Sequence, residues 1–279
     1  MITARSPSGP GTSGSSKWVS AANDAPTALA GSVSLASVVE DTANPPGATV
    51  SSLFSSTFSD AKDQVSGGSS ANAFAGVAIV ANGANDTQGK WRWYNGSSWV
   101  DVGTSVSTSS ALLLSSSTLL RFEPGANFSG TPGSLTVRLV DDSSGAVTSG
   151  SVVNLTSSGG TTRYSDASNA ATLGTSITAV NDAPSLGNGT LAAVNEDTTN
   201  PAGQTVTAIF TGQFSDPDAG ASLAGIAVVG NTANALTQGT WQYSTNSGTN
   251  WYSIGTVTDG ATALALSSGT MIRFVPVAD

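Results

Sequence analysis

The residues best suited to chemistry are acids and amides at predicted turns. Asp216-Pro217-Asp218 is an Asp-x-Asp turn, which directs two carboxylates to the same side. Asn181-Asp182 adds a side-chain amide oxygen and a third carboxylate, and Glu196-Asp197 forms a further acidic turn. Calcium takes about six to eight oxygen ligands from carboxylates and carbonyls on flexible loops. These residues therefore favour a calcium site, while solvated turn or capping residues are the plainer interpretation of the same acids.

Composition excludes several other kinds of chemistry. The chain has no cysteine and no histidine, so thiolate nucleophiles, imidazole metal sites and histidine-based catalytic triads are excluded. Its net charge is −9 with only nine lysines and arginines. Nucleic acids and anionic membrane surfaces need a basic face, so neither is expected as a partner. No apolar run has the length of a membrane span, so we predict no membrane insertion. Because the cysteine and histidine chemistry is excluded, we also predict a non-catalytic protein.

The elements that must position these acids occur twice in the chain. A series of short motifs returns in the same order, with a period far longer than the roughly 20–50 residues of a solenoid unit. The matching motifs are Asn-Asp-Ala-Pro at 23–26 and 181–184, Glu-Asp-Thr at 40–42 and 196–198, Phe-Ser-Asp at 58–60 and 214–216, Gln-Gly-x-Trp at 88–91 and 238–241, and Arg-Phe-x-Pro at 121–124 and 273–276. Each copy is therefore a whole domain of a tandem array.

The motifs predict the domain boundaries. Residues 1–22 are a leader or the remnant of a preceding repeat, residues 23–180 are a complete repeat (copy one), and residues 181–279 are a second, C-terminally truncated repeat (copy two). Copy two has no counterpart of about residues 125–180. We therefore expect unpaired sheet edges, an uncovered core and less order in copy two.

Short apolar segments separated by turn residues predict the fold class. Residues 49–54, residues 76–80 and their counterpart 225–229 have strand patterns. Residues 91–102 predict a hairpin, in which Asn95-Gly96 suits a type I′ turn. The sequence therefore predicts an all-β protein of tandem antiparallel β-sandwich domains.

The order of the acidic motifs resembles a known family. Val-Asn-Asp-Ala-Pro, then Glu-Asp-Thr, then Phe-Ser-Asp-x-Asp, over about residues 20–279, is similar to the cadherin-like repeats of giant bacterial surface adhesins, including type I-secreted (RTX-type) proteins. The resemblance implies that the sandwich domains are of the cadherin-like or immunoglobulin-like kind. It also implies that calcium (Ca²⁺) binds between consecutive domains. Its ligands would come from the linker, from the Asp-x-Asp of the downstream domain and from acids of the upstream domain. The implied site consists of Asn181, Asp182, Asp216 and Asp218, with Glu40 and Asp60 from copy one.

Copy one departs from the family pattern at its own acidic turn. It has Ser-Asp-Ala-Lys-Asp at 59–63, so Lys62 stands where the second acid is expected, and a seven-residue insertion follows. We therefore expect an impaired site at the Asn23-Asp24 end. Asp141-Asp142 is a further acidic pair whose match to the family is loose.

The resemblance implies a function and a location. The chain would be a non-catalytic, extracellular, secreted module of a large bacterial surface protein, acting as a spacer or adhesive segment with calcium-rigidified junctions. Its partners would be adjacent repeats and a cell-surface glycan or protein. An alternative is a carbohydrate-binding module that uses Trp91, Trp93 and Trp99, although cross-strand packing is the plainer interpretation of these rings.

Overall fold

A computed structural model describes residues 22–65 and 69–278, which separate into two compact units with the division between Ala179 and Val180. The predicted leader therefore lies outside the described residues except for Ala22. The described secondary structure is mostly β-strand in several, mainly antiparallel sheets, with few helical residues, which confirms the all-β prediction.

The first unit contains fourteen strands, one α-helix and three short 3-10 helices among its described residues. The strands are β1 (Thr27–Ala28), β2 (Ser32–Ser34), β3 (Val38–Val39), β4 (Ala48–Thr49), β5 (Phe58–Ser59), β6 (Phe74–Asn82), β7 (Gly89–Tyr94), β8 (Trp99–Asp101), β9 (Ala111–Ser115), β10 (Leu119–Pro124), β11 (Leu135–Asp141), β12 (Val152–Val153), β13 (Ala170–Gly174) and β14 (Ile177–Thr178). The helices are α1 (Val50–Phe54) and the 3-10 turns Ser55–Thr57, Ala61–Asp63 and Ala167–Asn169.

Two sheets carry most of the first unit. One has the strand order β12-β9-β6-β11-β13-β2, and the other has the order β4-β10-β7-β8. The two central strands of the larger sheet, β6 and β11, are rich in valine, isoleucine, leucine and alanine and are mostly buried. One apolar cluster contains residues of both sheets, among them Ile79, Val137, Trp91 and Phe122. Burial of this cluster supplies the main driving force for folding of copy one.

The strand predicted at residues 49–54 is wrong, because the segment turns into helix after β4. The Thr49 hydroxyl accepts the Ser52 N–H at 3.1 Å and caps α1. Val50, Leu53 and Phe54 then lie on one buried helical face. Copy two repeats the arrangement, with Thr205 capping its own helix. The α-helices in the described ranges have four or five residues, too few to cross a bilayer.

The predicted hairpin at residues 91–102 is present, but its turn differs from the prediction. β7 pairs antiparallel with β8, and Tyr94 is opposite Trp99, so the loop has four residues. The Asn95 side-chain oxygen accepts the N–H groups of Ser97 and Ser98, both at 2.9 Å. Gly96 has a positive φ of 98°, whereas Asn95 does not. A side-chain-stabilised turn therefore replaces the type I′ turn.

The second unit repeats the smaller sheet more fully than the larger one. Its elements are β15 (Ser185–Leu186), β16 (Gln204–Thr205), α2 (Val206–Ile209), β17 (Phe214–Ser215), β18 (Gly225–Val228), β19 (Gly239–Ser244), β20 (Tyr252–Ser253), β21 (Leu264–Ser267) and β22 (Met271–Pro276). The order β16-β22-β19-β20 matches β4-β10-β7-β8. Within residues 180–278, β18 pairs with β21 alone, whereas its counterpart β6 lies between β9 and β11. One edge of β18 is therefore unpaired in this part of the chain.

Candidate metal sites

Strand pairing holds each Asn-Asp motif beside an acidic turn of its own copy. In the second unit β15 follows Asn181-Asp182 and pairs antiparallel with β17, with Ser185 opposite Ser215. In the first unit β1 pairs with β5 in the same way, with Thr27 opposite Ser59. The acids after β5 and β17 are therefore fixed next to the start of their own copy.

Copy two brings together the four predicted ligands on its own chain segment. The Asp182 N–H donates to Asp218 Oδ2 at 2.9 Å, and the Asp218 N–H donates to Asp216 Oδ1 at 2.9 Å. Asn181 Nδ2 donates to the Asp182 carbonyl oxygen at 3.0 Å. Three carboxylates and one amide thus lie in one turn-rich patch, which is the donor set that a hard cation prefers.

Copy one forms the same arrangement with a different second acid. The Asp24 N–H donates to Asp63 Oδ1 at 2.7 Å, and Asn23 Nδ2 donates to the Asp24 carbonyl oxygen at 3.2 Å. Asp63 therefore holds the position that Asp218 holds in copy two. The expectation that Lys62 replaces the second acid is wrong, because the 3-10 turn Ala61–Asp63 adds one residue and returns Asp63 to the linker.

Asp60, which the resemblance implies as an upstream ligand of the 181–182 junction, takes part in the first-copy arrangement through Asn72. Its Oδ2 accepts the Asn72 N–H at 2.6 Å. The Asn72 side chain donates to Asp63 Oδ2 at 2.9 Å and to Asn23 Oδ1 at 2.8 Å. Sequence comparison missed Asn72 because it lies in the longer segment of copy one and has no aligned counterpart. Asn72 therefore connects Asn23 to both acids, through its side chain to Asp63 and through its main-chain N–H to Asp60.

The electrostatics of copy one concentrate negative charge around Asp60. Burial raises the pKa of the Asp60 carboxyl above its ordinary value, and the nearby carboxylates of Asp63 and Asp141 raise it further, while the Asn72 N–H lowers it. Asp141, at the end of β11, is completely buried. Asp141, whose sequence match to the family is loose, thus places a carboxylate in the interior of copy one.

Glu40 lies at the end of copy one from which the linker departs. It follows β3, which pairs in parallel with β14, and its N–H donates to the Thr178 carbonyl oxygen at 3.0 Å. The next residue, Asp41, has a positive φ of 59°, and its counterpart Asp197 has a φ of 62°. Thr178 precedes the linker Asn-Asp by only a few residues. The positive φ of the middle residue is therefore a repeated feature of the Glu-Asp-Thr turn, and in copy one this turn follows the strand that pairs with β14.

The acids that the second unit brings together are all carboxylates, so their oxygen chemistry suits calcium or magnesium rather than a soft metal. This unit contains four of the six residues that the sequence predicts for the site.

The tryptophans of the hairpin favour the packing interpretation over an exposed platform. Trp91 and Trp93 are 1% and 8% exposed. The Trp91 ring lies edge-on to Phe122 at 5.1 Å, and its Nε1 donates to the Gly133 carbonyl oxygen at 2.8 Å. The Trp99 ring faces the Arg121 guanidinium at 4.1 Å. These rings therefore stabilise the fold, as cross-strand aromatic residues commonly do.

The repeated arginine explains another shared motif. Arg121 Nη1 donates to the side-chain oxygen of Asn44 at 2.5 Å and to the Pro45 carbonyl oxygen at 3.3 Å. In copy two, Arg273 makes the same contacts with Asn200 and Pro201 and lies 4.0 Å from the Trp251 ring. The arginine thus ties the Asn-Pro loop to the smaller sheet in both copies.

Comparisons of this chain with protein-family models, with curated proteins and with solved structures find no match.

Proposed function

We propose that this chain is a non-catalytic, extracellular repeat segment of a large bacterial adhesin, built from tandem β-sandwich domains whose junction binds calcium. The observation that carries the proposal is the bond from the Asp182 N–H to Asp218 Oδ2, at 2.9 Å. Copy one repeats it between Asp24 and Asp63, at 2.7 Å. A linker–acid contact that recurs despite a different spacing supports a role for the acids beyond local turn formation.

The ligand chemistry supports calcium at the Asn181-Asp182 junction. Asp182, Asp216 and Asp218 are held together by main-chain hydrogen bonds, so their carboxylates repel one another. Glu40 is the carboxylate that the proposal assigns to copy one, because its N–H bonds to Thr178, a few residues before the linker. A calcium ion would offset the repulsion and would restrict the motion of the linker. The proposed outcome is a stiff joint between consecutive repeats.

A stiff joint suits a spacer that carries an adhesive segment away from the cell. Tandem repetition provides length, and the low content of basic residues argues against nucleic acid as a partner. The proposed partners are neighbouring repeats and a glycan or protein on another cell surface. The carbohydrate-binding alternative has less support, because Trp91 and Trp93 lie in the core rather than on a surface.

Small-angle scattering of the whole chain with calcium and with EDTA tests this proposal. We expect calcium to narrow the distribution of interdomain distances and EDTA to broaden it. Asp218→Asn should abolish the calcium response, because it removes a ligand charge while keeping the side-chain shape. Asp259→Asn, at an exposed position of the same copy, is the matched control and should respond like the parent chain. Identical scattering with calcium and EDTA in the parent chain would refute the stiff-joint proposal.

A further inference from the structure

Strand β18 of copy two has the sequence pattern of β6 but lacks the neighbour that β6 has on one side. Gly-Ile-Ala-Val-Val at 225–229 corresponds to Gly-Val-Ala-Ile-Val at 76–80. In copy one, β6 lies between β9 and β11. Within residues 180–278, β18 pairs with β21, the counterpart of β9, and with no other strand. We name the side of β18 that faces away from β21 the open edge.

The main chain of β18 presents hydrogen-bonding groups at the open edge. The Ser268 N–H donates to the Ala224 carbonyl oxygen at 2.8 Å, so the main-chain groups of Ala224 point toward the strand β21 side. Successive residues of a strand direct their main-chain groups to opposite edges, and Ala227 is three residues further along. The N–H and C=O of Ala227 therefore point to the open edge, where a further strand can bind them.

The open edge lies beside apolar surface that copy two does not cover. Val229 is 47% exposed, whereas its counterpart Val80 is 7% exposed. Two cavities, of about 510 and 280 Å³, adjoin this part of copy two, and both are lined by Thr232 and Trp241. Ile272 lines the smaller one. We name the two cavities together the acceptor groove.

Copy one shows which kind of segment fills the equivalent space. Strand β11 pairs with β6 and places Leu135, Val137 and Leu139 in the main apolar cluster of copy one. All three side chains are completely buried, and the same cluster contains Trp91, the counterpart of Trp241. The segment that fits the acceptor groove is therefore an extended strand with large apolar residues at alternate positions.

The repeated tryptophan supports the same occupant through its polar atom. In copy one the Trp91 Nε1 donates to the carbonyl oxygen of Gly133, two residues before β11, at 2.8 Å. Copy two retains the tryptophan as Trp241 but has no counterpart of Gly133. A strand of the β11 kind would supply both the apolar side chains and the acceptor for this indole N–H.

We propose that the open edge and the acceptor groove bind an extended strand of another polypeptide that carries the alternating apolar pattern of β11. The strand lies antiparallel to β18, in the register that β11 adopts against β6. The residue equivalent to Val137 is then opposite Val228, and the residue equivalent to Leu139 is opposite Ile226. Main-chain hydrogen bonds supply affinity, and the alternate side chains supply specificity. This surface is separate from the acidic turns and requires no calcium.

Hydrogen exchange of the whole chain, measured by mass spectrometry at fragments from β18 and β22, tests the proposal. The probe is a synthetic peptide with the sequence of residues 131–142. At free peptide about 100 times its dissociation constant, exchange through global opening of copy two should slow by about 100-fold, with calcium or with EDTA. Fragments from β6 should be unaffected, because β6 already pairs with β11. The same peptide with Val137→Asp and Leu139→Asp should give no protection.

One variant of the chain places the binding at the open edge. Ala227→Pro removes an N–H that faces this edge and leaves the pairing with β21, since proline is tolerated where the missing N–H faces solvent. Without the peptide, the variant should exchange like the parent chain, and with it the protection should be lost. Ala235→Pro is the matched control, at the second position of an exposed turn, where proline is favoured, and should keep the protection.

Three results would overturn the proposal. The first is the absence of protection by the parent peptide. The second is protection that persists with the Asp-substituted peptide or in the Ala227→Pro variant, because binding would then lie away from the open edge. The third is protection of β18 that rises with protein concentration in the absence of peptide, since the open edge would then pair with a second copy of this chain.

Discussion

Replacing Trp91 by alanine should cost copy one about 3–5 kcal/mol of unfolding free energy, within the range for large aromatic side chains in cores. Trp91 is almost fully buried, lies edge-on to Phe122 and donates to the Gly133 carbonyl oxygen. The substitution removes these contacts and leaves a cavity at the centre of the smaller sheet. Hydrogen exchange at peptides from β6 and β10 would measure the loss.

The matched substitution in copy two should have a smaller effect. Trp241 also lies edge-on to its phenylalanine partner, Phe274, at 5.0 Å. However, Trp241 is only partly buried and lines a cavity of about 510 Å³, so fewer contacts are lost. Exchange at peptides from β18 and β22 gives the comparison. Equal losses in Trp91→Ala and Trp241→Ala would contradict the difference in core packing described for the two copies.

Replacing Arg121 by methionine should destabilise copy one by about 2–4 kcal/mol, because a buried charged donor and a cation–π contact are lost together. The guanidinium lies over Trp99 and binds the loop at Asn44 and Pro45. It also pairs with Glu123 at 2.9 Å. Methionine fills similar space but leaves the loop oxygens without their donor. Chemical denaturation of the chain measures the loss of unfolding free energy as a shift of the copy-one transition to lower denaturant concentration.

Arg121→Lys is the informative control for this position. Lysine keeps the positive charge but lacks the planar fork that binds two loop oxygens while stacking on an indole ring. We therefore expect the Arg121→Lys variant to recover only part of the stability lost in the methionine variant. Full recovery would show that charge alone matters and would contradict the proposed tie between the loop and the sheet.

Much of the fold could be predicted from alternation and repetition. The apolar run at 76–80 and the aromatic residues around Asn95-Gly96 predicted β6 and the β7–β8 hairpin, because buried strands and tight turns have strong local signals. The segment after Thr49 was predicted incorrectly, since Val50, Leu53 and Phe54 have helical spacing and Thr49 caps the helix that they form.

The residue types of the acidic sites could be predicted from the sequence, but not all of their contacts could. The predicted ligands of copy two lie together as expected, because the short Asp-x-Asp spacing forms a simple turn. These ligands are Asn181, Asp182, Asp216 and Asp218. Asp63 was missed because alignment by position cannot show that a 3-10 turn brings a later residue back to the linker. The burial of Asp141 depends on long-range strand pairing between β11 and β6, which no local motif encodes.

Calorimetric titration of the whole chain with calcium is the most direct test of the central claim that these repeats bind calcium through their linker and acidic turns. We predict calcium binding in the parent chain. Asp218→Asn should remove the junction event, because a carboxylate of that site is lost, while Asp86→Asn, at a side chain that is 92% exposed, should retain it. Absence of calcium binding in the correctly folded parent chain would contradict the account.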